Sequence, residues 1–197
     1  MGAASPRRNA MKQKQLLITV VLGDIVRQPD CDAIVNSANS GLRAGSGVCG
    51  AIYRAAGPEL EPCSVKLAPL GLGAAVATAA FALPNRLIIH TRGPMYLFDP
   101  DPPANLAAAL WNSLRLADEH AVGRIAVPAI SMGIFAYPPA EAVPILVRTA
   151  RKLAGQLEHL REVRFVVQEE ALLQRFAEEI RSTAAPSAGV PDQPAAF

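Results

Sequence analysis

Short, almost wholly apolar runs alternate with longer amphipathic stretches along most of this 197-residue chain. The runs at 125–127 and 165–167 contain no polar residue, which is typical of strands covered on both faces rather than of half-exposed strands. Further along, Leu106, Leu110 and Leu114 recur at helical spacing, which indicates one buried helix face. This alternation predicts an α/β fold with helices on both faces of a sheet. Strands are predicted at 16–22, 33–37, 75–80, 87–91, 124–130 and 163–168, and helices at 48–56, 59–67, 104–120, 140–157 and 170–181.

The domain organisation follows from the contrast between the middle of the chain and its two ends. Hydrophobic residues make up 51% and charged residues 18% of the chain, which suits one globular domain. Residues 1–14 are mostly small or basic, and residues 182–197 are rich in alanine, proline, serine and glycine. We therefore predict disordered segments at both ends and one folded domain at 15–181.

The charge distribution argues against a nucleic-acid-binding surface on the folded part. The formal net charge is +2, but the first fifteen residues hold four cations and no acid, which leaves −2 on the rest of the chain. A domain that binds nucleic acid generally carries a basic face. Only weak contact between polyanions and the basic arm at 1–14 is therefore expected.

The three cysteines, Cys31, Cys49 and Cys63, show neither a pairing pattern nor the spacing of zinc ligands. We therefore expect a cytoplasmic protein with no metal and no cofactor. The longest early apolar run, 16–22, has only seven residues, which is too short for a membrane span. The expected protein is a monomer without a membrane partner.

A strand that ends in amides and runs into a glycine-rich loop is the most informative segment. The run 32–39 ends with Asn36 and Asn39, and the loop 45–50 reads Gly-Ser-Gly-Val-Cys-Gly. Glycines let the backbone approach a ligand closely, and the free N–H groups of a helix that starts in this loop favour an anion such as phosphate. Two alternatives stay open, namely Asx turns that close the strand and a glycine turn that binds nothing.

The glycine spacing also fits a dinucleotide-binding fold, which requires an acidic residue about 20 residues further on to hold a ribose. The chain has no Asp or Glu between Glu61 and Asp99, so this requirement is not met. The phosphate-binding loop of ATPases is disfavoured too, because no Lys-Ser or Lys-Thr follows the glycines. Nicotinamide redox chemistry and ATP hydrolysis are therefore not expected.

Two further strand ends carry candidate ligand contacts. The segment 128–138 ends another predicted strand with small residues before an aromatic, and it would supply a second phosphate-sized loop. Phe135 in this segment could pack on a sugar or be tucked into the core. After the first strand, the Asp24 carboxylate could accept a hydrogen bond from an adenine amine, although an Asp at such a place is more often a turn or helix cap.

Five segments in fixed order together resemble the macrodomain family. They are GDI at 23–25, DAIVNSAN at 32–39, GSGVCGAIYRAAG at 45–57, LIIHTRGP at 87–94 and PAISMGIFAYP at 128–138. The resemblance extends from Leu16 to Arg181. It implies a three-layer α/β/α sandwich around a mixed central sheet, with a cleft for ADP-ribose. The implied partner is ADP-ribose or an ADP-ribosylated protein, and nucleic acid only if it is ADP-ribosylated or touches the basic arm.

The resemblance also implies roles for individual residues. Asp24 and Ile25 match the adenine contacts, and Asn39 matches the residue that binds the distal ribose. His90 is interpreted as structural, because a lone histidine in an apolar strand is more often part of the core than catalytic. The other predicted ligand contacts are Asn36, Gly45, Gly47, Val48, Cys49, Gly50, Ser131, Met132, Gly133, Ile134 and Phe135.

Three positions depart from the hydrolytic members of that family. Cys49 stands where those members carry an Asp, Tyr53 where they usually carry a His, and Gln168 near the place where some relatives set an aromatic against adenine. Without the acid, the resemblance implies slow hydrolysis of mono-ADP-ribosyl or O-acetyl-ADP-ribose esters, with Asn39 and Cys49 as the candidate catalytic residues. The alternative is a non-catalytic module that binds ADP-ribose.

Overall fold

Six strands and five α-helices occupy residues 16–184, the part of the chain that the computed structural model describes. Every strand and helix predicted from the sequence is present. The strands are β1 (Leu17–Leu22), β2 (Ala33–Ser37), β3 (Ala75–Ala79), β4 (Leu87–Thr91), β5 (Arg124–Pro128) and β6 (Glu162–Val167). The helices are α1 (Gly47–Ala56), α2 (Leu60–Ser64), α3 (Pro102–Glu119), α4 (Pro139–Leu153) and α5 (Glu170–Ser182).

The structure differs from the predicted elements mainly at their ends. The predicted helix 59–67 is α2 followed by a 3₁₀ turn at Val65–Leu67. Helix α3 begins two residues before its predicted start, because the Asp101 side chain accepts a hydrogen bond from the Ala104 N–H and caps it. Helix α4 ends at Leu153 rather than at 157, shortly before Gly155, a residue type that disfavours helix.

The six strands form one sheet in the order β1-β6-β5-β2-β4-β3. Neighbouring strands are parallel except for β3, which runs antiparallel to β4 at one side of the sheet. The sheet is therefore mixed, as predicted. The carboxyl ends of the five parallel strands lie along one edge, where the ligand sites of open α/β sheets form.

Alternate residues of each strand face opposite layers, and each layer has its own hydrophobic core. On β2, Ala33 and Val35 pack with α3, α4 and α5, whereas Ile34 packs with α1. On β6, Phe165 packs in the core with α3, α4 and α5, and Val166 packs in the core with α1. Full burial of one large apolar side chain contributes about 1.5–3 kcal/mol to stability, so both faces hold the sheet in place. The predicted three-layer α/β/α sandwich is confirmed.

The predicted disordered ends fall mostly outside the described residues. Residues 1–14 lie beyond them, and of the predicted C-terminal tail only 182–184 are described, with Ser182 as the last residue of α5. Between residues 16 and 184, no helix has the length and apolar character needed to cross a membrane.

Candidate functional site

A cavity of about 170 Å³ opens at the carboxyl ends of β2 and β5, which are neighbours near the centre of the sheet. Residues from three segments line it: 37–39 at the end of β2, 45–49 at the start of α1, and five residues between 129 and 135 after β5. Parallel strand ends meet at one edge of a sheet, so loops that are distant in sequence face each other here. The structure thus brings both predicted phosphate loops to one cavity.

The first loop brings the amino end of α1 to the cavity. Ser46 is the N-cap residue, and its side chain makes no capping hydrogen bond. The first-turn N–H groups of a helix have no intrahelical partner, and no acidic side chain occupies this turn of α1. Together with the positive end of the helix dipole, these N–H groups favour an anion.

Two glycines of this loop are needed for different reasons. Gly47 has a φ of +57°, which other residues adopt only with strain, and a Cβ there would meet no atom within 4 Å. The backbone at Gly47 is therefore open to a ligand. A Cβ at Gly50 would instead overlap the carbonyl oxygen of Gly45. Gly50 therefore allows the loop to lie against α1. It does not line the cavity, because the lining residues contributed by this loop end at Cys49.

The second loop places a buried hydroxyl at the cavity. Ser131 lines the cavity and is only 3% exposed, and its Oγ has no hydrogen-bond partner among the described residues. Leaving a buried hydroxyl unpaired costs about 1–3 kcal/mol, so this oxygen is a candidate ligand contact. The Tyr137 N–H donates to the Ser131 carbonyl at 3.0 Å and holds this residue at a φ of +64°. Gly93 lies behind it, because a Cβ at Gly93 would overlap the Ser131 hydroxyl.

The other predicted residues of the second loop divide between the cavity and the core. Gly133, Ile134 and Phe135 line the cavity, and Ile134 is 77% exposed. Met132 is half-buried and packs against the core formed with α3, α4 and α5. The structure therefore places Met132 in the packing beneath the loop rather than in the cavity lining.

Asn39 and Cys49 line the cavity and are tied to the same backbone carbonyl. Asn39 Nδ2 donates to the Arg43 oxygen at 2.7 Å, while Asn39 Oδ1 accepts from the Arg43 N–H at 3.2 Å. The buried Cys49 Sγ donates to the same Arg43 oxygen at 3.5 Å. Asn39 therefore closes the turn that follows β2 and also contributes to the cavity wall.

The Cys49 thiol is not prepared to act as a nucleophile. Burial raises its pKa, and the hydrogen bond from Asn36 Nδ2 at 3.8 Å opposes this increase only in part. The dipole of α1 favours a thiolate, but desolvation prevails and the thiol stays protonated near neutral pH. Among the described lining residues there is neither a carboxylate nor an imidazole that could act as a base. The described part of the chain also has no group of three His, Cys, Asp or Glu side chains arranged to hold a metal ion.

Asn36, predicted as a ligand contact, lies behind Cys49 in a buried polar chain. Its Nδ2 donates to His90 Nδ1 at 3.0 Å, and His90 Nε2 bonds to Thr78 Oγ1 at 2.9 Å. In this orientation of the Asn36 amide its nitrogen donates to Nδ1, which corresponds to a His90 ring with its proton on Nε2. Burial lowers the pKa of His90 to about 4, so the ring is neutral. These contacts agree with the structural interpretation of His90 and place Asn36 beneath the cavity wall.

The predicted adenine contacts lie outside the cavity lining, at the β1 side of the same sheet edge. Asp24 Oδ1 accepts from the Val26 N–H at 3.1 Å, which is the turn alternative considered from the sequence. Ile25 is buried in the core formed with α1. Gln168 is exposed directly after β6, the strand that neighbours β1. Strand β1, which precedes Asp24 and Ile25, lies two strand spacings, or roughly 10 Å, from β5.

Tyr53 supports the loop wall from below. Its side chain is 6% exposed, and its hydroxyl donates to the Leu42 carbonyl at 2.7 Å and lies 2.9 Å from Ser64 Oγ. Ser64 Oγ lies 2.8 Å from the same Leu42 oxygen. Tyr53 therefore holds the segment between β2 and the glycine loop rather than facing the cavity.

Sequence reasoning missed four lining residues, Ser37, Ala38, Ser46 and Ala129. Ser37, Ala38 and Ser46 each lie beside a predicted residue, and Ala129 lies within the predicted segment 128–138, so the sequence indicated the right neighbourhood for all four. Their short side chains, however, carry little chemical signal. Gly93 lay within the LIIHTRGP segment, but its contact with the Ser131 hydroxyl depends on packing between the ends of β4 and β5.

Comparison with known sequences agrees with this geometry. The sequence profile described as "Macro domain" matches residues 35–146. A macro domain-containing protein of Ralstonia nicotianae is 50% identical over 131 residues, which cover 66% of this chain and 77% of that protein. A macro domain-containing protein of Streptomyces coelicolor is 42% identical over 166 residues, which cover 81% of this chain and 96% of that protein. The chain belongs to the Macro domain family.

Solved structures with the same fold include two with related ligands. A mutant of the Oceanobacillus iheyensis macrodomain, solved with ADPR, has a TM-score of 0.79 and 33% identity, covering 83% of this chain and 91% of that one. The Trypanosoma brucei macrodomain in complex with ADP-ribose has a TM-score of 0.75 and 29% identity, covering 82% and 68%. The fold is therefore a macrodomain fold, and these two macrodomains were solved with ADPR and with ADP-ribose.

Proposed function

We propose that this protein binds ADP-ribose in the cavity between its two loops, with the diphosphate at the amino end of α1. The observation that carries the proposal is a pair of unsatisfied donors at one cavity, namely the first-turn N–H groups of α1 and the buried Ser131 Oγ. Phosphate oxygens would accept hydrogen bonds from both. The relatives solved with ADPR and ADP-ribose support this choice of ligand.

The strand order is compatible with one proposed direction of the bound ligand. Adenine would extend toward β1, where the Asp24 oxygen that is not bound to Val26 would accept from the adenine amine. Asn39 follows β2 and would hold the distal ribose. A group attached to that ribose would then leave the cavity beyond β2, on the side of β4.

In a slow hydrolysis of mono-ADP-ribosyl esters, a phosphate group of the substrate would take the place of a protein base. In this reaction, water adds to the anomeric carbon of the distal ribose held by Asn39, and the bond to the carboxylate oxygen breaks. The proton of the water passes through a substrate phosphate oxygen to the released carboxylate. A positioned general base typically contributes about 10²–10⁴-fold in rate, so its absence from the described lining residues predicts slow turnover. The acetyl ester of O-acetyl-ADP-ribose would be hydrolysed at the same site: water would add to its acetyl carbonyl carbon, the bond to the ribose oxygen would break, and acetate and ADP-ribose would be released.

A non-catalytic ADP-ribose-binding module is the second candidate, and the same lack of a carboxylate or imidazole in the described lining favours it. Incubation with a protein mono-ADP-ribosylated on glutamate, and separately with O-acetyl-ADP-ribose, distinguishes the two functions. Release of ADP-ribose faster than in buffer supports the hydrolase. Tight binding of ADP-ribose without release supports the binding module.

The binding site itself is tested by a matched pair of variants, Gly47→Glu and Gly47→Gln. Both side chains impose the same strain at a φ of +57° and have nearly the same size, so they differ mainly in charge. We expect the glutamate variant to bind ADP-ribose about 30-fold more weakly than the glutamine variant, because its carboxylate lies beside the diphosphate. Titration calorimetry measures both affinities. Equal affinities would mean that the diphosphate binds elsewhere.

A further inference from the structure

The three most exposed large apolar side chains of the described residues lie on two adjoining loops. Leu97 is 74% exposed, Phe98 79% and Ile134 77%, whereas the remaining exposed large apolar side chains are 37% to 53% exposed. Leu97 and Phe98 lie between β4 and α3, and Ile134 lies in the second phosphate loop. These three side chains are called the apolar rim below.

Hydrogen bonds hold Leu97 and Phe98 in this exposed arrangement. The Met95 N–H donates to the Asp99 carboxylate at 2.8 Å, and the Arg92 guanidinium lies 3.7 Å from the same carboxylate. The N–H groups of Phe98 and Asp99 both donate to the Met95 carbonyl, at 3.1 and 3.0 Å. These contacts therefore fix the backbone of this loop, and the fixed backbone keeps its two apolar side chains exposed.

The apolar rim is continuous with the cavity. The Tyr96 N–H donates to the Phe135 carbonyl at 3.0 Å, and the Tyr96 ring packs 4.8 Å from the ring of Tyr137, which joins the two loops. Leu97 and Ile134 each neighbour a residue of that hydrogen bond, so their Cα atoms lie within roughly 13 Å of each other. Ile134 itself lines the cavity. The rim therefore borders the mouth of the cavity.

The strand order places the rim on the distal-ribose side. Strand β4 lies next to β2 on the side away from β1. With adenine toward β1, the distal ribose lies toward β2 and β4, and anything attached to it passes the loop that carries Leu97 and Phe98. This step rests on the proposed function, because it uses the direction assigned to ADP-ribose there.

We propose that the apolar rim binds apolar side chains of the polypeptide that carries ADP-ribose, next to the modified residue. The distal ribose of free ADP-ribose presents hydroxyl groups, which offer little to three exposed apolar side chains. A polypeptide with leucine, valine or phenylalanine beside the modification would cover the rim and remove apolar surface from water. The rim therefore confers a preference for apolar sequence around the modification.

The test compares two peptides that carry ADP-ribose through a non-hydrolysable linkage, one with leucine and one with serine on both sides of the modified residue. The wild-type protein should bind the leucine peptide about tenfold more tightly, whereas a variant with both Leu97→Ser and Phe98→Ser should bind the two peptides equally. Free ADP-ribose should bind both proteins with the same affinity. Leu17→Ser and Phe81→Ser, which change exposed side chains at the opposite edge of the sheet, should keep the preference.

Three outcomes overturn the role of the rim. The first is equal binding of the two peptides by the wild type. The second is an equal loss of affinity for free ADP-ribose and both peptides in the double variant, which would mean that the rim contacts the nucleotide. The third is a dimer that the double substitution dissociates, measured by light scattering, without any peptide preference. If the wild type binds no free ADP-ribose, the proposed function itself fails, and that result is separate from these three.

Discussion

The side chains of Asn39 and Cys49 meet at one acceptor, the carbonyl oxygen of Arg43, with Asn39 Nδ2 at 2.7 Å and Cys49 Sγ at 3.5 Å. Cys49 acts as a hydrogen-bond donor in this arrangement. A carboxylate at the same position has no proton to donate and would face the carbonyl oxygen, although Asn36 Nδ2 on its other side could donate to it. The loop after β2 therefore uses a hydrogen-bond donor at position 49.

Replacement of Cys49 by Asp or Asn tests this arrangement. The two side chains have nearly the same shape, but only Asn can donate to the Arg43 carbonyl, so we expect the Asp variant to be less stable than the Asn variant by about 1–2 kcal/mol. If the protein is a slow hydrolase, Asp should also increase ADP-ribose release by at least about tenfold over Asn, because it supplies a general base. Urea denaturation and a release assay measure the two effects. Equal release rates would argue against a base at this position.

Gly50→Ala should displace the glycine loop. The added Cβ would overlap the Gly45 carbonyl oxygen, a backbone atom that cannot move without the loop. We expect a loss of about 2 kcal/mol or more in the free energy of unfolding, and at least about tenfold weaker binding of ADP-ribose. Gly71→Ala is the control, because its Cβ would make an ordinary contact of 3.8 Å with Ala74. Unchanged affinity in the Gly50 variant would show that the loop does not form the diphosphate site.

Stability should fall as the pH drops through the titration range of His90. Burial lowers the pKa of His90 to about 4 in the folded protein, below the ordinary value of 6.5. Between these values the unfolded chain binds a proton that the folded protein does not, so lowering the pH favours unfolding, whereas above about pH 6.5 this contribution is constant. We expect a loss of about 2 kcal/mol at about pH 5 relative to about pH 7.5, measured by urea denaturation.

The matched variant for this pH dependence is His90→Gln, whose amide can still accept from Asn36 and donate to Thr78. It has no group that titrates in this range, so its stability should change less between the two pH values. The same loss in both proteins would assign the pH dependence to other groups.

Tyr53→Phe should lower the stability of the fold but have little effect on any release of ADP-ribose. It removes a buried hydroxyl that donates to the Leu42 carbonyl, so we expect a loss of about 1–2 kcal/mol in the free energy of unfolding. Any ADP-ribose release should stay within about threefold of the wild type, because Tyr53 faces the Leu42 segment rather than the cavity. Tyr96→Phe, which removes a hydroxyl bound to Glu141 at the surface, should leave the free energy of unfolding nearly unchanged. A loss of release without a loss of stability would instead make Tyr53 part of the reaction.

The α/β class, the positions of all six strands and the two loops that line the cavity were predictable from the sequence, because strand and helix periodicity and glycine-rich turns are local properties. Where the predicted element ends differ, the causes are local too, such as the Asp101 cap that starts α3 early. The five ordered segments were sufficient to identify the family to which the chain belongs.

The roles of individual polar side chains depended on the tertiary structure. Asn36 and Asn39 look alike in sequence, yet the register of β2 with β4 sets Asn36 against His90 in the core, while Asn39 lies beyond the strand end at the cavity. Cys49 was predicted from its position alone, but its protonation and its donor role follow from burial and from the Arg43 carbonyl. Periodicity along the chain determines which elements form, whereas the partner of each polar group is determined by contacts between residues far apart in sequence.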